Sequence, residues 1–307
     1  MKGDRSMMAT FKLETDSFHS VGSNLSRPEC IIAEPDGTLW VSDDRAAVTC
    51  IKPDGSQQRI GSMGGAPNGL AMAADGTIYV ANIGHGAFYR LHRDGRHEVL
   101  LDTLDGRPVG SANFVYIDEQ SRLWLTVSTV TTPRSEALHN KIPDGYVILM
   151  DEMGPRRVAD KILFSNEVRI DRQGRYLYLA ETTAGRVTRY PLAADGALGR
   201  AELFGPEPIF PGALIDGITF DAAGNLWVTE ITRHALIVIT PQGVAHTVYE
   251  DPAGKTLFFP TSLTFGGPDL KTAYVGSLKL DHLVSFIAPV PGEPMYHWHR
   301  RGKGVRA

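Results

Sequence analysis

Helical patterning is what this chain of 307 residues most lacks. No segment repeats its apolar residues at a sustained 3.6-residue period, so almost no helix is expected. Long apolar runs are missing too: none approaches the roughly 18 residues that cross a bilayer, so no membrane span is expected. The opening MKGDRSMMAT has no apolar core of the secretory-signal kind. Two cysteines, Cys30 and Cys50, are too few for a disulfide framework, and Cys30 reads as a buried thiol. Together these absences point to a cytoplasmic protein. Basic excess is also lacking. The 31 Lys and Arg against 35 Asp and Glu leave a net charge of −4, which supplies no broad field for nucleic acid or an anionic membrane.

What the chain does have is one phrase, written six times. Its clearest copy is DGITFDAAGNLW, from Asp216 to Trp227. The others open at Glu29 (ECIIAEPDGTLW), Asn68 (NGLAMAADGTIY), Asn113 (NFVYIDEQSRLW), Asn166 (NEVRIDRQGRYLY) and Thr261 (TSLTFGGPDLKTAY). Each begins with a polar residue, continues as a period-two strand, passes a turn, and restarts on an aliphatic–aromatic pair. Successive openings are separated by 39, 45, 53, 50 and 45 residues. A multi-strand unit recurring near that period specifies a β-propeller, and six copies specify six blades.

The rest of each repeat fits. Ile31, Leu70, Val115, Val168, Ile218 and Leu263 stand two places after the openings and form one apolar strand face. Third and fourth strands follow, as in VTCIKPDG and QQRIGSM, completing an antiparallel blade of four. The expected fold is therefore all-β: a six-bladed propeller of four-stranded antiparallel blades around a central channel. Residues 11–295 form its single domain, 1–10 are read as disordered and 296–307 as a basic tail. Phe11 to Val21 is expected to supply an outer strand that closes the ring on the last blade. Three stretches break the rhythm: Ser128 to Gly145 in the third blade, Glu207 to Leu214, and Asp251 to Pro260. Long loops of this kind bind substrate or cover it; the alternative is a tolerated surface insertion. Glu181 and Glu230, closing second strands, are read as bonding turn amides.

Equivalent positions in a closed ring converge on its axis, so the six openings form a girdle of oxygen donors. Glu29, Asn113, Asn166 and Asp216 offer two carboxylates and two carboxamides with no His or Cys. That set suits Ca²⁺ or Mg²⁺ and disfavours structural zinc. Two carboxylates neutralise a divalent ion, which makes their burial tolerable.

The ordered set Glu, Asn, Asn, Asp, with PNGLAMAADG and DGITFDAAGNLWVTE, resembles the SMP-30/gluconolactonase/LRE-like family over about residues 22–288. The resemblance implies one divalent ion in the channel (Ca²⁺ first, with Mg²⁺, Mn²⁺, Zn²⁺ or Fe²⁺ as alternatives) and hydrolysis of a lactone. By position, Glu29, Asn113, Asn166 and Asp216 are then the metal ligands, and Asp216 is also the general base. Asn68 and Thr261 are read as substrate or water contacts, or else as bonded to neighbouring backbone. His85 is read as reaching the pocket mouth or else as an ordinary loop residue, His139 as a lid contact or else the same, and Phe114 as an apolar wall. Family members often carry an R-x-N-D motif where this chain has Ser111-Ala112-Asn113-Phe114. The missing Arg implies a small-molecule lactone less hydroxylated than gluconolactone. Competing readings are a phosphotriesterase or lyase on the same site, and a non-catalytic interaction propeller with a structural channel ion.

Overall fold

A computed structural model describes residue 8 and residues 10–300, and in it six four-stranded antiparallel sheets stand in a ring. The protein is a six-bladed β-propeller. Blade 3 is typical, with strands Ala112–Ile117, Leu123–Val127, Gly145–Asp151 and Gly154–Ile162 paired in sequence order. Blade 6 is composite: Pro260–Gly266, Thr272–Ser277 and Leu283–Ile287 are completed by His19–Val21, with His19 opposite Ser285. The N-terminal segment thus caps an edge that would otherwise be open, as expected. Helix is scarce among the described residues but not absent. The third-blade loop carries a helix at Arg134–Asn140, and Tyr296–Arg300 forms another.

The repeated phrase has a local physical basis. Its aliphatic positions are buried between blades in every copy. In blades 1, 3 and 5 an acid six residues before the Trp accepts the indole N–H: Glu34 Oε1 from Trp40 at 3.2 Å, Asp118 Oδ2 from Trp124 at 2.8 Å, Asp221 Oδ2 from Trp227 at 3.1 Å. Asp118 and Asp221 also accept backbone N–H groups of their own turns, so a buried carboxylate and a buried indole are satisfied together. Glu181 accepts the Leu163 N–H and Glu230 the Leu214 and Thr232 N–H groups, so both acids do bond loop amides.

Two features distinguish the backbone at the openings. In blades 2 to 6 the register of the first strand slips at the opening residue, for example between Ser165 and Val168 and between Ile215 and Ile218. A bulge there swings the opening side chain out of the normal alternation. Gly69 and Gly217 then let neighbouring first strands close in. A Cβ at Gly69 would lie 2.5 Å from Phe114 Cα, and one at Gly217 would lie 2.6 Å from Thr261 O.

The opposite face is crossed by the C-terminal segment. Gly292 bridges to Asp221, Tyr296 Oη and Ser121 Oγ are 2.5 Å apart, and His297 Nε2 and Trp298 Nε1 both donate to Ala33 O, at 2.8 and 2.7 Å. Tyr296 and His297, placed in the expected tail, are buried, and so is Met8 from the expected disordered start. The remaining parts of those two assignments, residues 1–7, 9 and 301–307, lie outside the described residues.

Candidate metal centre

All six opening side chains are buried, and short contacts link four of those residues, Glu29, Asn68, Asn113 and Thr261. Asn68 Nδ2 donates to Glu29 Oε1 and to Asn113 O, both at 2.9 Å. Thr261 Oγ1 donates to Glu29 O at 2.7 Å. Asn166 Nδ2 donates to Thr182 Oγ1 at 3.0 Å. What remains without a partner is one oxygen from each expected ligand: Glu29 Oε2, Asn113 Oδ1, Asn166 Oδ1 and Asp216 Oδ1, together with Asn113 Nδ2. An orphaned buried polar atom costs about 1–3 kcal/mol. Four such oxygens, two of them on carboxylates, are a donor set that a hard divalent cation satisfies. Among the described residues no three His, Cys, Asp or Glu side chains are grouped so as to hold a metal ion by themselves, so this set is defined by its two carboxamides as much as by its acids.

The electrostatics agree. Burial, and then the Asp216 charge, holds Glu29 well above the ordinary carboxylate range. Burial, and then Glu167, pushes Asp216 up to about 7, against the opposing pull of Arg134 and Arg27. Without a cation, two carboxylates in this space resist sharing ionisation.

Four further residues were not singled out from sequence. Glu167, buried beside Asn166, accepts the Ile218 N–H at 3.1 Å and pairs with Arg169 at 2.9 Å. Arg169 lies over the Phe114 ring at 4.8 Å. Arg27 donates to Pro67 O at 3.2 Å and to Asn68 Oδ1. Arg134, from the helix of the third-blade loop, stacks on Phe164 at 4.7 Å and is within electrostatic reach of Arg27, Asp216 and Glu29. Arg27 stands two residues before an opening and Glu167 one residue after, so adjacency was the available signal. Arg134 had only its place in an overlong loop.

The other expected site residues have partners of their own. His85 Nδ1 is 2.9 Å from Tyr89 Oη, exposed His139 donates from Nδ1 to Ser135 O at 2.7 Å, and Phe114 packs between Gly69 and the Arg169 guanidinium. A cavity of about 500 Å³ opens at the turns joining first and second strands, lined by Glu119, Arg172 and Glu293 among others. It contains none of the six openings. Size alone does not make it the functional site, because the unsatisfied donor set is elsewhere.

A closed ring of six blades whose buried strand openings carry unpartnered oxygen donors defines a propeller with a candidate cation centre. The chain belongs to the SMP-30/gluconolactonase/LRE-like family, whose pattern matches residues 27–279. It is 25% identical over 200 residues to a 6-deoxy-6-sulfogluconolactonase of Pseudomonas putida, the match covering 64% of this chain and 65% of that one. With a sugar lactone lactonase, YvrE, of Bacillus subtilis it shares 27% over 195 residues, 61% of each chain. The chain thus spans a little under two thirds of these relatives. The calcium-binding protein regucalcin of Agrobacterium tumefaciens has the same fold, with a TM-score of 0.72 at 19% identity, over 91% of this chain and 95% of that one.

Proposed function

We propose that the protein is a divalent-cation-dependent lactonase. Glu29, Asn113, Asn166 and Asp216 would hold the ion, with Ca²⁺ preferred because every donor is a hard oxygen. The observation that carries this reading is the set of four orphaned oxygens, one from each of these residues. When bound, the ion supplies positive charge for the negative charge that gathers on the lactone carbonyl oxygen. Asp216 is the general base: it is a buried carboxylate at the site that can take up the water's proton. A water oxygen bonds to the carbonyl carbon and the ring C–O bond breaks. Asp216 passes the water's proton to the departing alkoxide, and a hydroxy acid remains. Asn68 and Thr261, both bonded to Glu29, act as supports that hold it in place. The Ser111-Ala112 pair before Asn113 and the apolar Phe114 after it support a substrate less hydroxylated than gluconolactone. The working compartment we assign is the cytoplasm, supported by two buried, unpaired cysteines.

The test is to strip the protein with chelator and add Ca²⁺, Mg²⁺, Mn²⁺, Zn²⁺ or Fe²⁺ back separately, following acid release from sugar, aliphatic and aromatic lactones. Restored release with at least one ion supports the reading; no acid in any combination rejects it. An Asp216→Asn variant that binds the ion and keeps full activity removes Asp216 as base.

A further inference from the structure

Two arginines converge on the girdle, and one of them has no anion of its own. Arg27 is held: it donates to Asn68 Oδ1 and Pro67 O and lies 3.9 Å from Asp44. Arg134 is different. Its guanidinium is fixed by the Phe164 face, one of the two residues preceding Asn166 in the blade 4 loop, and its Nε is buried without a hydrogen-bond partner. A guanidinium carries five N–H donors in a fork shaped for carboxylate or phosphate oxygens, so a buried unpaired N–H such as this one is costly until an acceptor oxygen arrives.

A charge count sharpens this. With the ion bound as proposed above, Glu29 and Asp216 answer its two positive charges. Glu167 and Arg169 cancel one another, and Asp44 stands beside Arg27. Arg134 then remains as an unmatched positive charge, within electrostatic reach of a second guanidinium, that of Arg27.

We propose that Arg134, with Arg27 behind it, forms an anion-binding subsite beside the cation centre, and that the substrate is a lactone bearing an acidic substituent. The proposal deepens the lactonase reading and rests on it. The missing Arg before Asn113 is thereby replaced from another part of the chain: the third-blade loop delivers a guanidinium that the local motif does not.

The test separates binding from turnover by using a lactam, which has the shape of a lactone and is not opened. Calorimetric titration of the Ca²⁺-loaded protein with 5-oxopyrrolidine-2-carboxylate and with its neutral carboxamide should show the acid bound about tenfold tighter or more, the range of a charge-assisted pair. In Arg134→Gln that preference should collapse while the carboxamide binds as before. Equal binding of acid and amide by the unaltered protein overturns the proposal whether or not the variant folds. Equal loss of both ligands in Arg134→Gln also overturns it, because that is the signature of a structural role. Hydrolysis is measured in parallel with 5-oxotetrahydrofuran-2-carboxylate and its carboxamide. A preserved lactam preference with no lactone opened would reject the lactonase reading and leave the subsite standing; lactone opening with no preference for the acid would do the reverse.

Discussion

Replacing Asp216 by Asn should make the cation-free protein more stable at alkaline pH, an unusual outcome for a buried functional residue. Burial, and then the Glu167 charge, moves ionisation of Asp216 from 3.8 to about 7. At 1.36 kcal/mol per unit, ionising it in the folded protein at about pH 8 costs on the order of 4 kcal/mol relative to the unfolded chain. The sign follows from proton counting. Between 3.8 and about 7 the folded state holds the proton more tightly, so the stability present below 3.8 is lost as pH rises through that window. Asn carries no charge to desolvate, though its amide brings a donor that needs a partner at about 1–3 kcal/mol. A net gain of about 1–3 kcal/mol near pH 8 is expected; it falls as the wild type takes up its proton and turns into a loss of about 1–3 kcal/mol below 3.8, where only the amide donor's cost remains. The assay is denaturant unfolding in chelator from acid to alkaline pH, repeated with Ca²⁺. Saturating cation at a hundred times its dissociation constant should add about 2.7 kcal/mol to the wild type and much less to the variant. A variant less stable than wild type in alkaline chelator, yet equally stabilised by Ca²⁺, would refute the account of two crowded carboxylates awaiting an ion.

Cation affinity itself should fall about tenfold per pH unit below about 7, as Asp216 protonates in competition; a calorimetric pH series that stays flat contradicts this. Gly217→Ala places a methyl 2.6 Å from Thr261 O and 2.8 Å from Ser262 Cα, both backbone atoms that cannot step aside. It should cost about 1–3 kcal/mol in a denaturant melt and weaken the cation site through the neighbouring Asp216; an unchanged melt and calcium titration would show that the two strands have room to spare. Trp124→Phe removes the 2.8 Å donation to Asp118 and should cost about 1–3 kcal/mol. A wild-type melt for that variant would mean that the turn hydrogen bonds to Asp118 suffice without the indole.

The blades were legible because their signals are local and repeated. Period-two strands, a Gly turn and an aromatic restart recur six times, and each copy corroborates the others. The Asp of the turn and the Trp six residues later belong to one hairpin, so their pairing is encoded within it. The contacts among the openings were legible for a related reason: one position in a repeat becomes one height in a ring, and closure brings Asn68 to Glu29 and to Asn113, and Thr261 to Glu29, across long stretches of chain. Glu167 was less legible, since bulges at the openings disturb the alternation that would assign its direction.

Sequence by itself therefore determined the six blades and the outer strand that seals them, and it picked out the six polar openings that the fold buries. Tertiary structure alone decided where the irregular segments land. The helix at Arg134–Asn140 delivers its first residue onto Phe164 beside the carboxylates, and the C-terminal segment lies across the opposite face with Tyr296 and His297 buried. The physical reason is the range of the forces involved. Strand, turn and repeat are set by neighbours within a hairpin, whereas the landing of a loop depends on partners many residues away.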